Sequence, residues 1–312
     1  MWECYELRFK AKSPVHVGYG SKLGVINRTR YYIPGKTMWG AVTAILTREI
    51  MAITKENYKS KLYKDIGKFI QENMIFSYFY PSNGENVFYP NYTEIGFGFG
   101  GNEKRFLINK ERFERDFVSS YISTSVDKTS KTAEDESLHE FEVITLKSPN
   151  KSLEFIGYLF IKEEVKDNKM DLFIKEIKKD EITLKKGDKS LNLFESIKKL
   201  QVGGERNYGL GWFELQDHSI CKSNKVNLHC SGVYVDLNDL SINLDGSVAL
   251  AHVKLNSELK EVKGDLEPIT GREWDRNGPG KKCDNAKICL TPGTRFKSKV
   301  KISDFGVWEY SV

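Results

Sequence analysis

The sequence predicts an α+β fold, because its apolar residues change several times between the two-residue period of strands and the longer period of helices. Residues 5–9 (YELRF) alternate as in a half-buried strand. Pro34-Gly35 then ends an extended segment, and the apolar residues of 36–51 recur at helical spacing. Far downstream, residues 201–215 (QVGGERNYGLGWFEL) place four glycines before a short aromatic strand.

The segments between these landmarks continue the same mixed pattern. Residues 13–18 (SPVHVG) read as a turn that leads into a short basic hairpin at 23–33. Residues 55–73 are predicted to form a second helix. The aromatic, glycine-rich residues 76–101 are expected to form partly packed strands or loops.

A long hairpin is predicted at residues 117–146. Two strand-like runs, FVSSYISTSV and HEFEVITL, flank the polar insert 127–137, which is expected to protrude as the hairpin tip. A third strand-like run, LEFIGYLFI, ends at residue 161. Residues 117–146 are named the thumb hairpin.

Two further helices are predicted before the glycine loop. Residues 163–189 are lysine-rich with apolar residues at helical spacing, apart from a short extended piece at 182–184, and residues 191–200 (LNLFESIKKL) have the spacing of a second helix. The order strand, helix, strands, helix, glycine loop, strand is the βαββαβ plan of a ferredoxin-like or RNA-recognition-motif (RRM-like) domain. Beyond residue 216 the sequence changes to short alternating runs, so we predict a first domain at 1–215 and a smaller, β-rich second domain at 216–312.

The glycine loop at 203–211 is the strongest candidate binding element, because glycine reaches positive φ and lets main-chain N–H groups approach a ligand. Its candidate RNA-binding residues are Gly203, Gly204, Arg206, Asn207, Tyr208, Gly209 and Gly211. We expect the N–H groups and Arg206 to hold phosphates and Tyr208 to stack on a base or pack on a ribose. Core packing is the alternative for Tyr208, and it is the prediction for Trp212, which lies inside the strand.

Positive charge is concentrated near the beginning of the chain. The net charge of +5 is too small by itself to identify a nucleic-acid partner, but residues 7–48 contain eight Lys or Arg and no Asp or Glu. This window predicts an anionic partner, with Lys22, Arg28 and Arg30 along its path. Lys36, at the start of the first helix, is expected to help bind a phosphate at the helix N-terminus, and a plain solvated lysine is the alternative. A solvated face balanced by acids elsewhere is the alternative.

Hydropathy and cysteine usage favour a cytoplasmic protein. No apolar run reaches about 18 residues, and the first residues lack the apolar stretch of a signal peptide, so no membrane association is expected. The five cysteines include no C-x-x-C pair, which fits reduced thiols. We predict no metal and no cofactor. A zinc site built from His229 and the cysteines at 221, 230, 283 and 289 is an alternative that only the fold would assemble.

Three segments in fixed order, AKSPVHVGYG, YYIPGKTMWGAV and VGGERNYGLGWFEL, resemble the RAMP superfamily of CRISPR-associated proteins. Ile33, Pro34, Gly35, Gly40 and Ala41 fill the superfamily's I-P-G-x-x-x-x-G-A helix start, and the glycine loop fills its glycine-rich loop before a late strand. The segment STSVDKTSKTAEDESLHEFEVI is similar to the superfamily's thumb hairpin. The resemblance covers about the first 215 residues.

The resemblance implies a role in RNA-guided antiviral defence. RAMP proteins are RNA-binding subunits with RRM-like folds, and in type III effector complexes the thumb packs against guide and target RNA. The segments ITGREW and ICLTPGTRF are similar to the second half of the subunit that holds the repeat-derived guide end, which implies a second RRM-like domain. The implied partners are the CRISPR guide RNA, other RAMP subunits of the effector complex, and target RNA reached through the complex.

The loop at 270–282 (TGREWDRNGPGKK) is a second candidate contact with RNA or with another subunit, and ordinary solvent exposure is the alternative. Its candidate residues are Arg272, Trp274, Arg276, Lys281 and Lys282.

Catalysis is not predicted. Related backbone subunits place an Asp between the first strand and the I-P-G helix, whereas residues 18–33 contain no carboxylate. The acids at 127–136 are expected to be solvated rather than to bind a metal. We therefore predict a non-catalytic guide-RNA-binding subunit of a type III effector complex. The alternatives are a general RNA-binding module and a metal-independent endoribonuclease that processes repeat RNA with His16 as general acid or base.

Overall fold

A computed structural model describes residues 1–55, 60–94, 96–101, 107–134, 137–146, 151–163, 165–167, 172–178, 181–255, 261–275, 278–283 and 286–311. Within these ranges the α-helices are α1 Gly35–Thr54, α2 Ser60–Asn73, α3 Lys110–Phe117 and α4 Leu193–Ser196. None of them combines the length and the apolar character that a membrane crossing needs.

The strands fall into two groups along the chain. Those before residue 221 are β1 Trp2–Ala11, β2 Gly18–Lys22, β3 Ile26–Thr29, β4 Met74–Phe76, β5 Tyr80–Ser82, β6 Pro90–Thr93, β7 Gly96–Gly100, β8 Leu107–Asn109, β9 Val118–Ser123, β10 His139–Ile144, β11 Glu154–Lys162, β12 Val165–Asp167, β13 Leu172–Lys178, β14 Glu181–Lys186, β15 Lys189–Asn192, β16 Lys199–Gln201 and β17 Trp212–Ile220. Those after it are β18 Lys225–Leu228, β19 Val233–Asp236, β20 Ser241–Val248, β21 Val253–Lys254, β22 Leu266–Ile269, β23 Arg272–Asp275, β24 Gly278–Cys283, β25 Lys287–Leu290, β26 Arg295–Ile302 and β27 Trp308–Tyr310. The predicted mixed α+β class is confirmed.

The central sheet has the order β16-β17-β1-β11-β4, and β5 also pairs with β11. Strand β1 lies antiparallel to both β11 and β17. Tyr5, Leu7 and Phe9 alternate along β1 and are buried, as their two-residue spacing predicts. Helix α1 packs the apolar face that includes Val42 and Leu46 into the same core. The predicted first strand and first helix are therefore present.

The thumb hairpin and the basic hairpin belong to one sheet, with the order β2-β3-β10-β9. Strands β9 and β10 pair antiparallel, and β10 runs parallel to β3. At the tip, the Asp127 carboxylate accepts hydrogen bonds from the N–H groups of Thr129 (2.9 Å) and Ser130 (2.6 Å). These hydrogen bonds hold residues 127–130 in a turn. Residues 135 and 136 lie outside the described residues.

The prediction of a helix at 163–189 is wrong. The described part of this segment forms a sheet with the order β12-β13-β14-β15. Leu172 and Ile174 on β13, and Ile182 and Leu184 on β14, are buried at a spacing of two residues, so the strand period prevails over the helical one. The helix predicted at 191–200 is shortened to α4, because residues 199–201 pair with β17 as an edge strand.

The C-terminal part forms an eight-stranded sheet with the order β18-β19-β20-β26-β27-β21-β25-β22. The described residues between 216 and 311 contain strands and a 3₁₀ turn but no α-helix. Burial alternates along successive strands, as at Val233 and Val235, so these residues fit strands rather than helices. A second RRM-like domain at 216–312 stays a prediction. The loop predicted at 270–282 includes the paired strands β23 and β24.

Candidate nucleic-acid interface

A groove of about 1490 Å³ runs between the glycine loop, α1 and the eight-stranded sheet. Basic side chains dominate its charged lining, with Arg30, Lys36, Arg48, Lys199, Arg206, Lys254 and Lys287 against Asp304 and Glu309. A cleft lined by one sign of charge concentrates ions of the opposite sign. The groove therefore favours an anionic ligand.

Helix α1 forms the floor of the groove. Lys36, Gly40, Ala44 and Arg48 all line it and stand four residues apart, so they share one face of the helix. A rise of ~1.5 Å per residue separates the first and last of them by roughly 18 Å along the helix axis. A Cβ atom at Gly40 would meet no atom within 4 Å, which leaves this face open. Two cations thus stand at the ends of a row with small side chains between them.

Lys36 lies at the N-terminus of α1, as predicted from the sequence. The helix begins at Gly35, and its N-cap residue Pro34 provides no side-chain hydrogen bond. The Lys36 ammonium lies 5.1 Å from the centroid of the Phe305 ring. This contact holds the charge of Lys36 at the wall that the C-terminal part contributes.

Two glycines let the glycine loop pack closely on the turn after β1. Gly203 has φ +92°, and a Cβ there would lie 2.2 Å from the His16 carbonyl oxygen. Gly211 has φ +76°, and a Cβ there would lie 1.9 Å from the Val202 carbonyl oxygen. Both positions require glycine, because another residue would be strained at this φ and its Cβ would overlap a main-chain oxygen.

Several N–H groups of the loop are already used inside the protein, which corrects the expectation that all of them bind phosphates. The loop closes on itself and on the turn at 14–16, so these donors point inward. The bonds are Gly204 N–H to His16 O (2.9 Å), Tyr208 N–H to Glu205 O (3.0 Å), Gly209 N–H to Arg206 O (3.0 Å) and Gly211 N–H to Pro14 O (2.9 Å). These four N–H groups are therefore not available to a ligand in this arrangement.

Three consecutive side chains at the centre of the loop face outward. Arg206, Asn207 and Tyr208 are exposed, and Arg206 lines the groove. Tyr208, 57% exposed, lies with its ring centroid 5.8 Å from that of Phe141 on the thumb hairpin. Tyr208 therefore bridges the loop and the thumb hairpin.

Trp212 is exposed, which overturns the prediction that it packs in the core. It is the first residue of β17, its side chain is 45% exposed, and it lines the groove. The next residue, Phe213, points to the opposite face and is 2% exposed. Strand alternation thus assigns Phe213 to the core and Trp212 to the groove.

The three basic residues predicted on the first hairpin have different environments. Lys22 is exposed on β2. The guanidinium groups of Arg28 and Arg30 lie 5.1 Å and 4.7 Å from the centroid of the Tyr19 ring. Arg30 is also paired with Glu267 at 2.5 Å, and its side chain is 14% exposed. The charge of Arg30 is therefore balanced inside the protein, and we remove it from the expected RNA path.

Glu267 joins Arg30 to a buried polar cluster behind the groove wall. The Tyr78 hydroxyl lies 2.6 Å from His252 Nδ1, and His252 Nε2 bonds to the Glu267 carboxylate. Burial opposes ionisation of Glu267, but the hydrogen bond with His252 and the charge of Arg30 outweigh it and lower the pKa of Glu267 to about 2. Burial lowers the pKa of His252, which keeps its ring neutral near pH 7. The cluster links Arg30 and Tyr78 in the N-terminal part of the chain to His252 and Glu267 in the C-terminal part.

His16 lies beneath the glycine loop. It is 5% exposed, and its Nδ1 lies 2.7 Å from the main-chain oxygen of Glu142. A Cβ at Gly204 would lie 3.1 Å from the ring carbon Cδ2. The imidazole therefore fills the space between β10 and the loop.

The second candidate contact is described in part. Lys281 and Lys282 are exposed on β24. Arg276 and the side chains of Arg272 and Trp274 lie outside the described residues. Across the described ranges, no group of three His, Cys, Asp or Glu residues is placed to hold a metal, so the zinc site is not assembled there, and all five cysteines are free thiols.

A basic groove on a mixed sheet-and-helix scaffold, with a glycine loop at its edge, is typical of proteins that bind anions. The model of the RAMP superfamily matches residues 8–214. This match covers more than half of the chain, and the chain belongs to the RAMP superfamily. No curated protein matches it.

This chain is similar to chains of several solved structures. A chain in the cryo-EM structure of the Type III-B Cmr-beta bound to cognate target RNA is 12% identical, with 94% of this chain and 86% of that chain covered and a TM-score of 0.49. A chain in the structure with cognate target RNA and AMPPnP, state 1, is 13% identical, with the same coverages and a TM-score of 0.49. A chain in the Type III-B Cmr-beta Apo state is 12% identical, with coverages of 68% and 96% and a TM-score of 0.39.

Proposed function

We propose that this chain is a non-catalytic subunit of a type III CRISPR effector complex in the cytoplasm, and that its groove binds the guide RNA. The basic groove is the observation that carries the proposal. Arg30 is paired with Glu267 and Lys254 with Glu309, and the remaining charged lining still has five basic side chains against Asp304, which suits a polyanion. Membership of the RAMP superfamily makes RNA the expected polyanion.

The groove fits a single strand better than a duplex. Single-stranded RNA is held by a basic channel together with aromatic rings that stack on the bases. Lys36 and Arg48 on α1 and Arg206 on the glycine loop provide the channel, and Trp212 provides an exposed ring beside them. We expect phosphates to follow the α1 row and one base to stack on Trp212.

The strand order supports a ferredoxin-like plan for the first domain, residues 1–215. Within the central sheet, β17-β1-β11-β4 is the 4-1-3-2 order of a βαββαβ unit, with α1 between β1 and β4. The thumb hairpin at 117–146 is then an insertion before β11, the third strand of the plan. In this proposal residues 216–312 form the second domain and supply the far wall of the groove.

An apolar tip on the sheet of the thumb hairpin supports assembly with other RAMP subunits. Leu23 and Val25 in the β2–β3 turn are 84% and 48% exposed, and Ile122 and Leu138 at the same end of the sheet are 71% and 61% exposed. Monomeric proteins rarely leave such side chains clustered in water. We expect this tip to be covered by a neighbouring subunit, and target RNA to reach the chain through the assembled complex.

The position of His16 supports a structural role. A general acid or base must reach the reacting oxygen, whereas the His16 ring is buried and held by the Glu142 carbonyl. His16 therefore orients the turn under the glycine loop in this proposal. Cleavage of repeat RNA by the isolated chain is not expected.

Exchange of a groove cation tests the proposal. Arg48→Ala removes an exposed charge from the groove floor, and Lys222→Ala removes an exposed charge that does not line the groove. We expect the first variant to bind single-stranded repeat RNA more weakly and the second to bind like the original chain. Equal binding by both variants would place the RNA elsewhere.

A further inference from the structure

Two cysteines face each other where β1 meets the end of β17. Tyr5 is opposite Ile220 in this antiparallel pair, so Cys4 is opposite Cys221. The Cys221 N–H donates to the Cys4 carbonyl oxygen at 2.8 Å. Cα atoms in a hydrogen-bonded antiparallel pair are ~5.5 Å apart, and a disulfide needs a Cα separation of ~4.4–6.8 Å. The backbone is therefore already within the range that a disulfide requires.

The environments of the two thiols differ. Cys4 is buried in the core that extends into the eight-stranded sheet, whereas Cys221 is half-buried at the edge of that core. Burial raises the pKa of Cys4, while the hydrogen bond from the Cys4 thiol lowers the pKa of Cys221. Of the two thiols, Cys221 therefore has the greater thiolate character, and the thiolate is the form that reacts with oxidants.

We propose that Cys4 and Cys221 form an oxidation site that hydroperoxides convert into a disulfide between β1 and the end of β17. Cys221 reacts first, since it is the thiol that solvent reaches. Its sulfur attacks hydrogen peroxide, the O–O bond breaks, and the departing hydroxide takes a proton to become water, leaving a sulfenic acid. The Cys4 sulfur then attacks the Cys221 sulfur, the S–O bond breaks, and the hydroxide leaves as water with the Cys4 proton. Two thiols are oxidised and one peroxide is reduced to two waters.

The disulfide would fasten the chain where it passes between the two sheets. Strand β17 ends at Ile220, and the next strand, β18, belongs to the eight-stranded sheet. A bond that closes so long a loop restricts the unfolded chain, so we expect the oxidised protein to melt at a higher temperature than the reduced one. The groove begins at the other end of β17, at Trp212, and the bond leaves its lining residues in place.

The test uses the full chain with Cys230→Ser and Cys283→Ser, because these two exposed thiols would otherwise link separate molecules. The protein is treated with hydrogen peroxide, digested without reductant and examined by mass spectrometry. We expect loss of two hydrogen atoms per chain, one linked peptide pair containing Cys4 and Cys221, and recovery of both thiols with dithiothreitol.

A matched variant tests whether the mass change and the higher melting temperature come from the disulfide between Cys4 and Cys221. Cys221→Ala in the same background is expected to show no loss of hydrogen and no rise of melting temperature after peroxide treatment. Linkage of Cys4 to Cys289 would overturn the proposal. Two intact thiols would also overturn it, as would a sulfinic acid at Cys221 with a free Cys4.

Discussion

Alanine at Gly211 is expected to destabilise the protein far more than alanine at Gly209. Both glycines have positive φ, +76° and +80°, so each substitution carries the cost of a left-handed backbone, roughly 1–2 kcal/mol. At Gly209 a Cβ meets no atom within 4 Å, and that cost is the whole effect. At Gly211 a Cβ would lie 1.9 Å from the Val202 carbonyl oxygen, which belongs to the main chain and has no rotamer to change.

The additional cost at Gly211 follows from how firmly its surroundings are held. The Val202 N–H donates to the Gly211 carbonyl at 2.8 Å, and the Gly211 N–H donates to the Pro14 carbonyl at 2.9 Å, so relief of the overlap strains two hydrogen bonds. Overpacking of this kind typically costs about 1–3 kcal/mol. We therefore expect Gly211→Ala to lower the free energy of unfolding by about 2 kcal/mol more than Gly209→Ala does. Urea unfolding followed by circular dichroism measures both values, and equal losses would refute the described packing of the loop.

Three further predictions concern the groove and its supports. Trp212→Ala should weaken binding of single-stranded RNA by about 1–3 kcal/mol and leave the free energy of unfolding nearly unchanged. Phe213→Ala should instead lower the free energy of unfolding by about 3–5 kcal/mol. Fluorescence anisotropy measures the RNA binding, and urea unfolding measures the stability. Arg206→Ala should reduce the slope of log affinity against log salt by roughly 0.7 if it contacts one phosphate of a single strand, with Lys222→Ala as the unchanged control. Glu267→Gln should cost about 3 kcal/mol at pH 7. Because the folded pKa of Glu267 is about 2, below the ordinary value of 4.5, its ionised form stabilises the protein above pH 4.5 and loses this effect as pH falls towards 2. Urea unfolding at a series of pH values should show the difference in free energy of unfolding between Glu267→Gln and the original chain shrinking over that range. A constant difference would contradict the ion pair.

The first strand and the first helix could be predicted because one period dominates each of them. From Tyr5 to Phe9 the buried apolar residues of β1 alternate, and in α1 they recur every three or four residues until Ile50. The segment 163–189 lacks this clarity. Leu172 and Ile174 fit a strand while their lysine-rich surroundings fit a solvated helix, and the pairing of β13 with β14 decides between the two. Such pairing energy depends on the neighbouring strand and is not visible in a single segment.

Parts of the candidate site escaped prediction for similar reasons. The face that Trp212 presents depends on the residue at which β17 begins, and a shift of one residue would have buried it. The basic window predicts an RNA contact for Arg30. Its ion-pair partner Glu267 lies 237 residues away in sequence, so the local sequence does not reveal the pair. Arg48 was counted in the basic window, but its place on the groove floor depends on the wall that the C-terminal part supplies. The glycine loop could be predicted because four glycines within 203–211 disfavour a regular helix or strand there and reach the positive φ values that Gly203, Gly209 and Gly211 adopt.

The most direct test of the central claim scores binding and cleavage of one RNA together. Purified chain and its His16→Ala variant are incubated with labelled CRISPR-repeat RNA, in Mg²⁺ or in EDTA, and retention and cleavage are read on the same gel. The proposal of a non-catalytic guide-RNA-binding subunit predicts that the original chain retains intact RNA in both conditions. Metal-independent cleavage by the original chain that is lost in His16→Ala would contradict it and identify a repeat-processing endoribonuclease.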